Sequence, residues 1–250
     1  MTLRAAVAGE VATITIDNPA KRNAMTADMW RALPVVLEDF RHHSPVRVVV
    51  LTGAGGTFCA GADIGDLSGI GAQTHDANLA VLAEEALASF PKPTIARIEG
   101  DCVGGGCQLA LACDLRLAAP GARFGITAAR LGVVYPAVST ARLVHTLGLA
   151  HAKWLLLTAD LVTAGHAQRM GLVHEVVAGL DERVAQTART LASRSRLSQA
   201  AAKEIMAMSA YGVDAERVHH WVKLMRDSGE AAEGAAAFLQ RRAPDFPWAP

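Results

Sequence analysis

Two stretches of this chain impose the same order of elements, and that order leaves few folds open. "VRVVVLTGAGGTF" (Val46 to Phe58) is a continuous β-branched run that ends in a glycine-rich loop. "PKPTIARIEGDCVGGGCQLALACD" (Pro91 to Asp114) repeats the order and adds an apolar helix directly after three glycines. A strand that is apolar at successive positions is buried on both faces, as in a parallel sheet covered by helices. The chain is therefore read as α/β, with glycine loops at the carboxyl ends of inner strands.

Those loops bear on chemistry. Gly104, Gly105 and Gly106 carry no Cβ, so a ligand can approach their backbone, and the first N–H groups of a helix have no partner within it. The helix dipole adds about half a positive charge at that end, which stabilises an anion or a developing oxyanion. A phosphate cradle, an oxyanion hole for a thioester and plain helix–strand packing all use glycine in this way. The lysine and Ser/Thr of a P-loop are missing, and the spacing is not GxGxxG. "GAGGTFCAGADI" (Gly53 to Ile64) is a second such loop, and the two together could hold one carbonyl oxygen.

Along the chain, "VATITID" (Val11 to Asp17) alternates as a strand, and Thr26 caps a helix running to about Phe40. Gly65 to His75 has weak periodicity and three glycines and reads as mobile, with a helix following it to about Phe90. Two short strands flank a turn at Pro120-Gly121. From about Ser139 the pattern is helical, broken by a strand-like interlude at Gly171 to Val177; the helix before it is capped by Thr163 and stopped by Gly171. The last third reads as four helices. The division expected is a core over 1–195 and a helical oligomerisation region over 196–250.

Lysine plus arginine number 24 and aspartate plus glutamate 24, a net charge of zero with histidine neutral. That balance offers no footprint for nucleic acid or an anionic membrane. With no leader-like start, no apolar run of membrane-spanning length, and four cysteines in apolar or small-residue surroundings without metal-ligand spacing, a cytoplasmic protein with buried thiols and no metal is expected.

"FCAGADI", then "GGGCQLALACDLRLA", "ARFGI…LGVV" and "LTADLVTAGHAQRMGLVHEVV" resemble, in order and spacing, the crotonase (enoyl-CoA hydratase/isomerase) family, from "ITIDNPAKRNAM" to "AFLQRR". The resemblance implies a spiral of repeated ββα units with a C-terminal helical trimerisation region, a homotrimer or dimer of trimers, and an acyl-CoA substrate with no separate cofactor. It implies oxyanion donors at the amides of Ala62 and Gly105. Lys21, Arg22, Ala24 and Ala60 fall in segments that line the CoA groove in the family, and Arg241 matches a basic residue that can reach a neighbour's CoA. Asp63 and Asp114 match positions that bond local backbone.

In the family's hydratases one glutamate follows "GGGC" and another lies three residues after "FG"; here those places hold Gln108 and Ala128. Neither side chain transfers a proton at neutral pH, and each general acid–base role is worth about 10²–10⁴-fold. Hydration is therefore disfavoured; decarboxylation or isomerisation of a CoA thioester is the expected enolate chemistry, with a non-catalytic acyl-CoA-binding protein as the alternative. Gln108 could orient water or a polar acyl group, or simply line the pocket. Tyr135, in "LGVVY", resembles a tyrosine that contacts the substrate carboxylate in the family's methylmalonyl-CoA decarboxylases, which differ in having histidine at the place of Ala62 and glutamate at that of Gln108. Packing is its other reading. His75, Glu84 and Glu85 are further candidate proton carriers.

Overall fold

The structure is a computed structural model, described here for residues 1–66, 78–208 and 212–248. The chain opens with an antiparallel hairpin, β1 (Thr2–Ala8) and β2 (Val11–Asp17), turned at Gly9. In β2 alternate residues are buried, and Ala12, Ile14 and Ile16 enter the core. α1 (Ala27–His42) follows, with the Thr26 hydroxyl accepting from the Met29 amide at 3.3 Å. Its buried positions, Met29, Trp30, Leu33, Leu37 and Phe40, recur at helical spacing and form one face.

β3 (Val48–Gly53) shows why its sequence run is unbroken. Val49 and Leu51 pack into the main core with Trp30 and Phe124, whereas Val48 and Val50 pack on the opposite face with Ile95, Leu117, Leu180 and Val184. After α2 (Leu79–Ala88), the chain gives β4 (Thr94–Ile98), β5 (Asp101–Val103) and α3 (Gly105–Ala112). It then gives β6 (Leu115–Ala118), β7 (Arg123–Gly125) and a short helix α4 (Ala128–Leu131). Each of these two ββα turns contributes one strand to each of two sheets. The larger runs β1-β2-β3-β4-β6 and ends on a strand at Glu175–Val176, and the smaller runs β5-β7 and ends on one at Val162–Thr163. Beyond β2 the larger sheet is parallel, with Leu51 opposite Ala96 and Ile95 opposite Leu115.

α5 (Ala137–Thr158) kinks at Gly148. β8 (Val162–Thr163) then leads into α6 (Ala164–Arg169), capped by the Thr163 hydroxyl as expected. The interlude around Gly171 narrows to a two-residue strand, β9 (Glu175–Val176), on the edge of the larger sheet. Among the described residues four helices follow: α7 (Leu180–Ala192), α8 (Arg196–Met208), α9 (Ala215–Ser228) and α10 (Glu230–Gln240). α7 covers the outer face of β3 and β4, while α9 buries no residue. Asp114 does more than bond local backbone: it accepts from the Thr94 amide and hydroxyl and pairs with Lys203 of α8 at 2.5 Å.

All four cysteines are free and buried, and burial pushes the thiols of Cys59 and Cys113 up to about 12. A close approach of backbone to backbone lies beside one of them. A Cβ on Gly106 would stand 2.3 Å from the Cys59 carbonyl oxygen and 3.1 Å from its carbon. Backbone cannot give way as a side-chain tip does. Gly106→Ala is therefore expected to lower stability by about 1–3 kcal/mol or more, as overpacking does, whereas Gly121→Ala, with open space at its Cβ, stays within about 0.5 kcal/mol; urea denaturation of both variants checks the contrast.

Candidate active site

Two backbone segments meet at the carboxyl ends of β3 and β4. In the first, the Met25 amide donates to the Gly61 carbonyl and the Asp63 amide donates to the Met25 carbonyl, each at 2.8 Å. This parallel bridge engages the residues on either side of Ala62 and turns the Ala62 N–H away from Met25. In the second, Gly104 adopts a φ of +54°, open to glycine, and Gly105 is the first residue of α3. A Cβ on Gly105 would lie 3.4 Å from the Ala62 nitrogen and 3.0 Å from the Trp30 ring. Among the described residues neither the Ala62 nor the Gly105 amide donates to anything. Two unpartnered N–H groups so close together, one at a helix start, can hold one oxygen that gains negative charge.

A cleft of about 890 Å³ opens in front of them. It brings together Lys21, Arg22, Ala24, Ala60, Ala62, Gly105, Gln108, Ala128 and Tyr135, all singled out from sequence. Arg241 does not join them; it caps the end of α10, outside this lining. His75 lies outside the described residues. Trp30, Arg123 and Arg130 line the cleft too and escaped sequence reading, because their signals are those of a core aromatic and of surface cations.

Gln108 stands three residues after Gly105, on the same face of α3. Its side-chain amide donates to the Glu84 carboxylate at 2.7 Å. Glu84 is fully buried, and it also accepts from the Ser139 hydroxyl at 2.5 Å and from Arg142 Nε at 2.6 Å. Arg142 reaches Glu85 as well. The expectation that Glu84 and Glu85 approach the cleft as free acids is thus corrected: neither lines it, and both are bound to Arg142. A carboxylate at zero exposure needs a cation and hydrogen bonds, and α5 supplies them.

The carboxylates that do line the cleft are also committed. Asp63 pairs with Lys21 at 2.6 Å and accepts from the Gly65 amide, which hold its carboxyl below the usual range. Its bonding is therefore only partly local. Asp101 pairs with Arg123 at 2.7 Å and, more loosely, with Arg22 at 3.5 Å. Tyr135 is different. Among the described residues its buried hydroxyl has no hydrogen-bond partner, and burial, followed by the nearby Cys107 and Glu84, pushes its pKa well up, so the phenol stays protonated. Trp30 Nε1 is likewise buried without an acceptor among the described residues.

The sequence model for enoyl-CoA hydratase/isomerase matches residues 7–248. The chain belongs to that family. It is 33% identical to the 2,3-dehydroadipyl-CoA hydratase of Escherichia coli K12, over 94% of each chain. Among solved structures, an enoyl-CoA hydratase/isomerase family member superposes with a TM-score of 0.94 at 37% identity, covering 100% of this chain and 97% of that one. The enoyl-CoA hydratase of Bacillus anthracis gives 0.87 at 30% identity and 98% of each. The ββα spiral and helical C-terminal region thus place this chain in the crotonase fold. No helix among the described residues is long and apolar enough to cross a membrane.

In this crotonase the two unusual polar groups make opposite stability predictions. Tyr135→Phe removes a buried hydroxyl that has no partner, so the melting temperature is expected to hold or rise. Glu84→Ala strips partners from Gln108, Ser139 and Arg142 and is expected to cost about 3 kcal/mol, the low end for a broken buried pair because Arg142 is partly exposed. Calorimetric melting of the two variants reads both.

Proposed function

We propose that the protein acts on a CoA thioester through an enolate, with the Ala62 and Gly105 amides holding the thioester oxygen, and that its reaction is loss of CO2 from a malonyl-type acyl group. The observation that carries this reading is the pair of amides, unpartnered among the described residues, in a cleft whose carboxylates among those residues, Asp63 and Asp101, are both bound to cations. Addition of water calls for a free carboxylate to activate it, and Gln108 and Ala128 stand where that carboxylate would be sought. Decarboxylation needs no base. The bond from Cα to the carboxylate breaks, its electron pair moves into the enolate held by the two amides, CO2 leaves, and the α-carbon takes up a proton. The protonated and unpartnered hydroxyl of Tyr135 is the group in the cleft suited to orient the carboxylate or give that proton. Isomerisation shares the enolate but requires a proton carrier as well.

Lys21, Arg22 and Arg123 are the cations proposed to face the CoA phosphates, with Arg241 serving a neighbouring subunit, and CoA enters as part of the substrate alone. A trimer in the cytoplasm is the proposed working form. Its support is apolar surface on the helices, where Leu157, Phe238 and Leu239 are each at least 75% exposed. The relatives' names favour hydration, and a pocket without free acids among the described residues also suits a protein that binds acyl-CoA without turning it over.

Incubation with malonyl-type, enoyl- and 3-hydroxyacyl-CoAs, read by mass spectrometry, separates these readings. Release of CO2 from a malonyl-type thioester is expected; no turnover of any would leave the binding protein. On the productive substrate Tyr135→Phe is expected to lower kcat/KM by about one to two decades, a lost hydrogen bond to a charged group being worth about 1.5–3 kcal/mol.

Hydration itself gives a sharper test. Crotonyl-CoA is expected to be hydrated many decades more slowly than by a working hydratase, because two acid–base roles of about 10²–10⁴ each are missing. Gln108→Glu or Ala128→Glu alone is expected to do little, and the pair to gain more than additively, since such groups act as a unit. Brisk hydration by the native protein, measured by loss of enoyl absorbance, overturns the reading.

A further inference from the structure

A second cavity, of about 320 Å³, lies at the other end of the larger sheet, between the amino ends of β3 and β4 and the C-terminal helices. Arg47 stands one residue before β3, Lys92 two residues before β4, and Arg196 opens α8; Trp221 and Trp248 complete the wall. Few groups offset this charge. Lys92 is only 6% exposed, and its ammonium donates to the carbonyls of Phe40 and His43 at 2.6 and 3.0 Å, neutral acceptors both. Arg47 donates to the Arg194 carbonyl at 2.9 Å and has Glu10 3.7 Å away.

Arg196 has less still. Among the described residues its side chain makes no hydrogen bond or ion pair, and the Nε groups of both Arg47 and Arg196 are buried without an acceptor. The other charged groups in the lining are taken: Lys203 by Asp114, Glu204 by Arg217 and Arg41 by Glu38. Glu230, nearby, accepts from the Ser195 hydroxyl and the Trp248 amide. The crowding registers on the groups themselves. Burial, then Arg196, Arg47 and Arg41, bring the Lys92 ammonium down to about 8, and burial followed by Arg196 lowers Arg47 against the opposing charges of Glu10 and Glu230.

Among the described residues Lys92 and Arg196 have no carboxylate partner and Arg47 has only Glu10 at 3.7 Å, so the three cations destabilise the fold unless an anion joins them. We propose that this cavity is a second ligand site, taking a phosphate group, free or on a small organic molecule, between Arg47, Lys92 and Arg196. Guanidinium N–H groups match phosphate oxygens in spacing and charge. The volume suits a phosphate with a short remainder against the two indoles. Nothing in this site touches the cleft, so the proposal stands apart from the reaction assigned there.

The test uses the full chain in phosphate-free buffer, titrated calorimetrically with inorganic phosphate and with glycerol 3-phosphate at matched ionic strength. Saturable binding is expected, weakened at least tenfold in Arg196→Gln and unchanged in Arg31→Gln, a surface arginine paired with Asp28 and outside both pockets. Equal affinity for the two probes marks free phosphate as the ligand, and a tenfold preference for the ester marks an organic phosphate; either supports the site. Without phosphate, Arg196→Gln is expected to melt no lower than the native protein, since it removes repulsion, so misfolding does not confuse the result. The proposal is overturned if neither probe binds saturably, if Arg31→Gln weakens binding as much as Arg196→Gln does, or if Arg196→Gln changes the sedimenting mass while phosphate has no effect, the mark of a cavity filled by a second copy.

Discussion

The contact between Gly106 and the Cys59 carbonyl is the constraint on which the cleft depends. It presses the first turn of α3 against the segment that follows β3, with no side chain between them. The same carbonyl accepts from the Val103 amide, and the Cys59 amide donates to Asp101, so the two loops are joined by backbone on the strand side as well. Held this way, the Ala62 and Gly105 amides cannot separate without breaking a bridge at each end. Donors fixed before the reaction cost no reorganisation as charge develops, which is what gives such pairs their value in catalysis.

This part of the structure is legible in sequence because it is local. The β-branched run of β3, the three glycines that open α3, the Thr26 and Thr163 caps and the four closing helices each declare themselves within a dozen residues. β1 is not legible, since an edge strand reading "TLRAAVA" lies largely exposed and is held by its hairpin partner rather than by an apolar pattern. The short α4 after "FGI" fails for a similar reason, being a single turn with no buried residue.

The partners of Gln108 are hidden for another reason. Glu84 lies 24 residues before it, and Ser139 and Arg142 lie 55 and 58 residues beyond Glu84. No local pattern announces that a glutamate on an apolar helix such as α2 has an arginine waiting on α5. The cations at the far end of the sheet are similarly invisible: Arg47, Lys92 and Arg196 read singly as solvated surface, and only the fold gathers them.

The place of Glu84 also bears on why an amide, rather than an acid, stands beside the two donors. A carboxylate at position 108 would meet that of Glu84 at hydrogen-bond distance, and two like charges so close cannot both ionise. With glutamine there, its N–H groups satisfy the buried acid, and its own carbonyl oxygen is the atom left for the cleft. The Glu84 charge is balanced from behind by Arg142, so it does not oppose negative charge growing at the Ala62 and Gly105 amides. Replacing Gln108 with glutamate therefore changes more than one group, because either the new carboxyl or Glu84 must hold a proton. The first of these outcomes would place a neutral acid at the reacting carbon and the second a base, and the partner at position 128 decides which of them can turn over.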